Sequence, residues 1–222
     1  MILNDIPRRC ECGVEYSITH CLNCKKGGFV HTRHDAVRDT VHDLVKDVCK
    51  DVKSEPPLLP LTGETLPKGS SIKDGARSDV SALGFWNPLS RAFFDIKVFN
   101  PQAQTNWTKE IPAMYLHQER EKKREYNARI LEVEKGTFTP LIFSCTGGAS
   151  LEATNFIKAL ALKVSNKKLE EYSHVVSFIR RRIRFDILKS CVVSLRGERR
   201  KRGEVADIQD LDFGIQSLDG QF

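Results

Sequence analysis

Four cysteines crowd into the stretch from Cys10 to Cys24, and nothing else in the chain constrains its folding as tightly. They fall as Cys10-Glu-Cys12-Gly13 and His20-Cys21-Leu-Asn-Cys24. Zinc takes four nitrogen or sulfur ligands in a tetrahedron, commonly as two close pairs brought together by a short loop. Two sets fit: Cys10, Cys12, His20 and Cys24, or the same set with Cys21 replacing His20. Gly13 lets the backbone turn so that its amides face the first thiolates. The 222 residues hold seven cysteines, so they cannot all pair within the chain. That pattern points to a metal site in a reducing compartment rather than a disulfide framework. Cys49, Cys145 and Cys191 stand apart in apolar surroundings and read as core residues.

Charge narrows the partner. There are 35 Lys and Arg against 29 Asp and Glu, and five of the acids lie in the last twenty residues, which hold no base. Residues 1–202 therefore carry +11, against +6 for the whole chain. Such a body favours a polyanion, DNA or RNA. No apolar run approaches the ~20 residues of a membrane span, and the start lacks the basic and apolar regions of a secretory signal.

Past the cysteines, Thr32-Arg33-His34-Asp35 reads as a capped helix start. Val37, Val41, Leu44, Val45 and Val48 then give a core-facing stripe from about 33 to 49. Lys53 to Ser71, beginning near Glu55-Pro-Pro, reads as a short strand and a loop. Residues 76–82 and 92–99 read as a hairpin closed through Trp86-Asn-Pro88. A charged helix over 114–134, a buried strand over 138–144 and helices over 149–164 and 172–195 follow. These elements predict an α/β domain with a mixed central sheet flanked by helices.

In the second hairpin strand Asp95 and Lys97 are two residues apart and share a face. Hairpin geometry brings Asp79 towards Asp95. Converging carboxylates repel unless a divalent cation lies between them. Phosphodiester hydrolysis uses such a group: carboxylates hold Mg²⁺, and a Lys orients the attacking water and stabilises developing charge. The alternative is a solvent-facing Asp–Lys pair on an edge strand. On the last helix Arg180, Arg181 and Arg184 are candidates for nucleic-acid phosphates, and Arg199-Arg-Lys-Arg202 resembles a nuclear-localisation run.

Knuckle, Arg33-His34-Asp35, Glu55-Pro56, Asp79 and Asp95-x-Lys97, in that order, resemble the carboxy-terminal part of site-specific non-LTR retrotransposon proteins. There a Cys-Cys-His-Cys knuckle precedes a restriction-endonuclease-like nuclease of the PD-(D/E)xK superfamily. The resemblance implies zinc on Cys10, Cys12, His20 and Cys24, and Mg²⁺ on Asp79 and Asp95 with Glu55 as a further ligand. It places the family's Pro-Asp motif on Ser78-Asp79, without the Pro, and its helical Lys and Tyr on Lys123 and Tyr126. His34 supports the site or contacts DNA, and Arg33 contacts nucleic acid. The expected division is a knuckle over 1–30, a nuclease domain over 31–196 and a basic-then-acidic tail over 197–222. The family joins this region to a reverse transcriptase. The chain therefore reads as a detached nuclear tail of a retroelement protein, nicking DNA beside a polymerase partner.

Overall fold

The computed structural model describes residues 8–59 and 76–196. The basic run at 199–202, the acidic tail and most of the loop expected before Ser71 lie outside the described residues. In chain order the elements are α1 (Ile18–Asn23), α2 (Phe29–Lys46), β1 (Lys50–Ser54), β2 (Val80–Leu83), β3 (Arg91–Phe99), α3 (Ile111–Ala128), β4 (Thr137–Ser144), α4 (Leu151–Lys168) and α5 (Tyr172–Arg196). The four strands form one sheet in sequence order. β1–β2 and β2–β3 are antiparallel, while β3–β4 is parallel and requires the α3 crossover between them. The chain is thus mixed α/β, with helices on both faces of a mixed sheet.

Alternation along β3 divides the core. Ala92, Phe94 and Ile96 join Val37, Val41 and Val45 of α2, Phe156 and Leu160 of α4, and Ile179, Ile183 and Ile187 of α5 in the main cluster. Phe93 and Phe99 face the other way, Phe93 meeting Tyr126 and Ile130, and Phe99 meeting Met114. Asp95 and Lys97 fall between those two positions, so the pleat turns them towards α3. Among the described residues no helix is long and apolar enough to cross a membrane.

Several boundaries differ from the sequence reading. α2 starts at Phe29, four residues early, with Gly28 at φ 73° as its N-cap. Thr32 is no cap: its hydroxyl donates back to the Gly28 carbonyl from within the first turn. α3 stops at Ala128 and continues as one wide π turn, Arg129–Val133. The first hairpin strand shortens to Val80–Leu83, leaving Ser78 and Asp79 outside the ladder. Cys49 and Cys145 are only half-buried, while Cys191 is buried as expected.

Candidate metal centre and acidic cleft

The knuckle is built from a tight turn and the short α1. Gly13 takes φ 86°, and its amide donates to the Cys10 carbonyl at 2.8 Å. Ser17 caps α1 by accepting from the His20 amide at 3.1 Å, which aims His20 back at the turn. Cys10 Sγ lies 3.7 Å from Cys24 Sγ, and Cys12 Sγ lies 3.1 Å from His20 Nε2. All four ligand atoms fall within 4.8 Å of one another. Zinc–sulfur bonds of about 2.3 Å put tetrahedral sulfurs about 3.8 Å apart, so the quartet matches zinc in both donor type and spacing. Burial opposes ionisation of Cys10, but the Cys12 amide and His20 outweigh it and lower that thiol's pKa. Cys12 is lowered chiefly by the Val14 amide. Cys24 is pushed up to about 11 by burial and by the crowding Cys10 and Cys12 sulfurs, a crowding that a central dication relieves. Cys21 is fully buried and stands outside the quartet, so His20 rather than Cys21 completes the set that could hold the metal.

The knuckle is fastened to the body. Tyr16 donates its hydroxyl to the Leu195 carbonyl at the end of α5. Arg33 Nη2 donates to the Leu22 carbonyl at 3.0 Å. Arg33 was expected on the nucleic-acid surface, and here the structure corrects the sequence reading. At 2% exposure its guanidinium lies inside, tying α1 to α2, where no phosphate can reach it.

The acidic residues meet where β3 outruns β2. Pairing starts at Val80↔Phe94, so one rung further Asp79, just before the first β2 residue, falls opposite Asp95. The edge amide of Ile96 is free there, and Asp79 Oδ2 accepts it at 2.5 Å. Ser78, in the position of the missing Pro, is buried and donates to the Phe94 carbonyl at 2.8 Å, holding this corner. Asp79 Oδ1 meets His34 Nε2 of α2 at 3.0 Å. Burial alone lowers the His34 pKa, yet the bond to Asp79 and the charges of Asp79, Asp35 and Asp95 reverse the direction and raise it.

Asp95 is 3% exposed. Burial, then the Asp79 charge, pushes its carboxyl up to about 6. Lys122 Nζ of α3 lies 2.8 Å from Asp95 Oδ2, close enough for an ion pair but off the hydrogen-bonding direction, so Oδ2 keeps unused acceptor capacity. Burial disfavours the Lys122 charge, but Asp95 more than restores it and its pKa rises. Lys97, beside them, is lowered by burial and by Lys122. A cleft of about 380 Å³ opens over this group, lined by His31 and His34 of α2, Ile96 and Lys97 of β3, and Glu121, Lys122 and Glu125 of α3.

Other expected site residues stand elsewhere. Glu55 ion-pairs with Arg38 at 2.5 Å and with Arg77 at 3.7 Å, and only its backbone amide touches Asp79, at the carbonyl. Lys123 pairs with Glu152 of α4, not with the acids. Tyr126 is buried against Phe138, with the Lys122 ammonium 5.2 Å from its ring centre, so it supports the lysine from below. Burial, then Asp95, raises its phenol. Arg181 and Arg184 are exposed on α5, and Arg180 is half-buried. Arg184 Nε donates to the Gly147 carbonyl at 3.1 Å.

Lys122 is the cleft residue the sequence reading passed over. A helix advances ~100° per residue, which sets Lys122 between the buried positions Met114 and Tyr126 and sends Lys123 to the side opposite Met114. That helical phase was available in the sequence. Among the described residues, the knuckle quartet is the one group of three or more His, Cys, Asp or Glu side chains whose ligand atoms converge. No protein-family model matches the chain, and comparison with curated proteins likewise gives no match.

Proposed function

We propose that the chain is a metal-dependent DNA endonuclease domain of the restriction-endonuclease-like kind, with Asp79 and Asp95 beside a cleft lined by Lys97 and Lys122. The observation that carries this reading is the juxtaposition of two carboxylates with Lys97 and Lys122 at a splayed strand edge, under an open cleft. Mg²⁺ is a hard cation, satisfied by one or two carboxylates plus water. Asp79 and Asp95 supply that donor type. When bound, Mg²⁺ would neutralise phosphate charge and acidify a water.

The chain's own residues do the rest. Asp79 is positioned by His34 and the Ile96 amide, which fixes its carboxylate plane. Lys97, its ammonium pKa lowered by burial and by Lys122, is suited to orient a water and to exchange a proton with it. Lys122 holds Asp95 and offers positive charge to the phosphate as it develops negative charge. Arg181 and Arg184 on α5 would contact the DNA backbone. The knuckle, tied to α2 and α5, would carry zinc as a structural ion. An origin in a site-specific retroelement, action beside a reverse transcriptase, and a nuclear location belong to the same proposal and rest on the sequence resemblance.

A non-catalytic nucleic-acid-binding module is the second reading. It is favoured by one observation: both carboxylates already have side-chain partners, His34 and Lys122. Plasmid nicking with and without Mg²⁺ separates the two. Cleavage lost in Asp95→Ala and Lys97→Ala with DNA binding retained supports the nuclease; binding without cleavage by the unaltered chain supports the module.

A further inference from the structure

Two cavities meet at the turn from β4 into α4 and share no lining residue with the acidic cleft. The smaller, about 170 Å³, sets Thr154, Arg180 and Arg184 against apolar Phe143, Ile157 and Ile183. The larger and more open one, about 530 Å³, adds Tyr115 and Thr146, and the two have Gly147, Ala149 and Arg184 in common. The turn's glycines permit this arrangement. Gly147 takes φ 85°, and Arg184 lies against it, its Nε donating to the Gly147 carbonyl at 3.1 Å. A Cβ on Gly148 would collide with the Tyr115 hydroxyl. Arg180 and Arg184 stand one turn apart on α5, a spacing at which like charges repel. Among the described residues no carboxylate pairs with either, and no acid lines either cavity. Glu119 and Glu152, at the start of α4, are spent on the Glu152 amide and on Lys123. The turn's amides are also used: those of Gly147 and Gly148 donate to the Ser144 carbonyl at 2.9 Å and hydroxyl at 3.0 Å. The positive charge here is therefore that of two guanidinium groups and not of a helix end.

We infer that this double cavity binds a phosphate group, held between Arg180 and Arg184 with Thr154 lining the same space. Arginine's planar fork matches phosphate oxygens, and its charge needs no change of protonation. With Nε of Arg184 spent on the turn, its two terminal nitrogens remain as donors. An anion between the two guanidinium groups removes their mutual repulsion, and the apolar side of the cavity strengthens the attraction. The smaller cavity equals roughly five or six waters at about 30 Å³ each, room for a phosphate group, and the larger one lets the rest of a phosphorylated molecule leave. Binding here uses neither Mg²⁺ nor the acidic cleft. It deepens the backbone contact given to Arg184 above, and rests on that reading only where the phosphate belongs to a nucleic-acid strand.

The test titrates inorganic phosphate into the zinc-loaded full chain without Mg²⁺, at an ionic strength held constant with chloride, and follows backbone amide NMR signals. Saturable shifts should centre on Thr146 to Ala149 and on Arg184. Arg180→Gln and Arg184→Gln should each weaken binding about tenfold, the loss of one hydrogen bond to a charged group. Arg182→Gln removes an exposed charge from the same helix outside both cavities and should leave binding unchanged. If Arg180→Gln does not fold, Arg184→Gln, at an exposed position, still decides. Oligonucleotides with and without a 5′-phosphate then identify the source. A gain from the 5′-phosphate that vanishes in Arg184→Gln assigns the site to a strand end. Equal weakening of both by Arg184→Gln assigns it to an internal phosphodiester, and a response to inorganic phosphate alone to a free phosphate. Shifts that grow linearly without saturating, or that Arg182→Gln reduces as much as Arg184→Gln, overturn the site. No cleavage is scored, so a chain that fails to nick DNA leaves a positive result standing, and a chain that nicks without binding phosphate here loses only this site.

Discussion

Lys122 Nζ stands 2.8 Å from Asp95 Oδ2, and this pair, made across the gap between α3 and β3, sets the chemistry of the cleft. Asp95 is nearly sealed from water, and its partner is 18% exposed through the side chain. Removing the cation leaves the nearly sealed carboxylate uncompensated, and breaking a buried pair in this way typically costs 3–5 kcal/mol. Lys122→Ala should therefore lower stability by about 3 kcal/mol in chemical denaturation. Lys123→Ala removes only a partly exposed pair with Glu152 and should cost less than about 1 kcal/mol. Equal losses in the two variants would contradict the placement of Lys122.

Asp95 also makes stability depend on pH. Its carboxyl titrates near 6 in the folded chain against an ordinary 3.8. The folded state therefore binds more protons between those values, and protonation favours it. That contribution is full below the unfolded value and is lost as pH rises through about 6; its size is about 3 kcal/mol. In metal-free buffer Asp95→Asn should melt above the unaltered chain at pH 7.5, and the gap should narrow at pH 5. Differential scanning calorimetry at the two pH values reads both. A gap that is constant with pH would show that Asp95 is already protonated at neutrality, or never perturbed.

The knuckle should bind one zinc per chain, measured by elemental mass spectrometry after gel filtration. His20→Ala and Cys24→Ser should lose it, whereas Cys21→Ser should keep it. Because Tyr16 and Arg33 tie this segment to α5 and α2, stripping the metal should also lower the melting temperature of the whole domain rather than of a detached module. Zinc retained in His20→Ala and lost in Cys21→Ser would reverse the ligand assignment.

Gly136 joins the π turn after α3 to β4 at a point of close approach. A Cβ there would meet the Arg91 carbonyl oxygen and the Phe93 ring, each at 2.7 Å. Backbone cannot move aside cheaply, so Gly136→Ala should cost about 2 kcal/mol. Since it shifts the helix that carries Lys122, it should also weaken any activity that depends on Lys122.

Local patterns exposed much of this fold. The apolar stripes of α2 and α5, the β3 alternation and the Cys–His spacing each encode one element or one ligand set, and each can be read without knowing its neighbours. Boundaries were less legible. α2 begins at Phe29 because glycine at φ 73° reverses the chain, and a glycine conformation leaves no mark that Thr32 could be weighed against. Arg33 defeated composition-based reasoning in a different way. A basic residue in a basic chain reads as surface, and only the packing of α1 against α2 shows a carbonyl, at Leu22, taking its hydrogen bond inside. The helical lysine was decidable from phase, but Glu55 was not. Its diversion to Arg38 and Arg77 depends on where β1 ends relative to α2, a tertiary relation with no local signature.

The central claim is that Asp79, Asp95, Lys97 and Lys122 form a phosphodiester-cleaving site. The most direct measurement is conversion of supercoiled plasmid to the nicked form by the zinc-loaded chain in Mg²⁺, with Asp95→Ala, Lys97→Ala, Lys122→Ala and Lys123→Ala alongside and DNA binding measured on each. The expected result is Mg²⁺-dependent nicking that falls at least a hundredfold in the first three and persists in Lys123→Ala, with binding retained throughout. Tight binding by the unaltered chain with no Mg²⁺-dependent nicking, or nicking that survives Asp95→Ala, would contradict it.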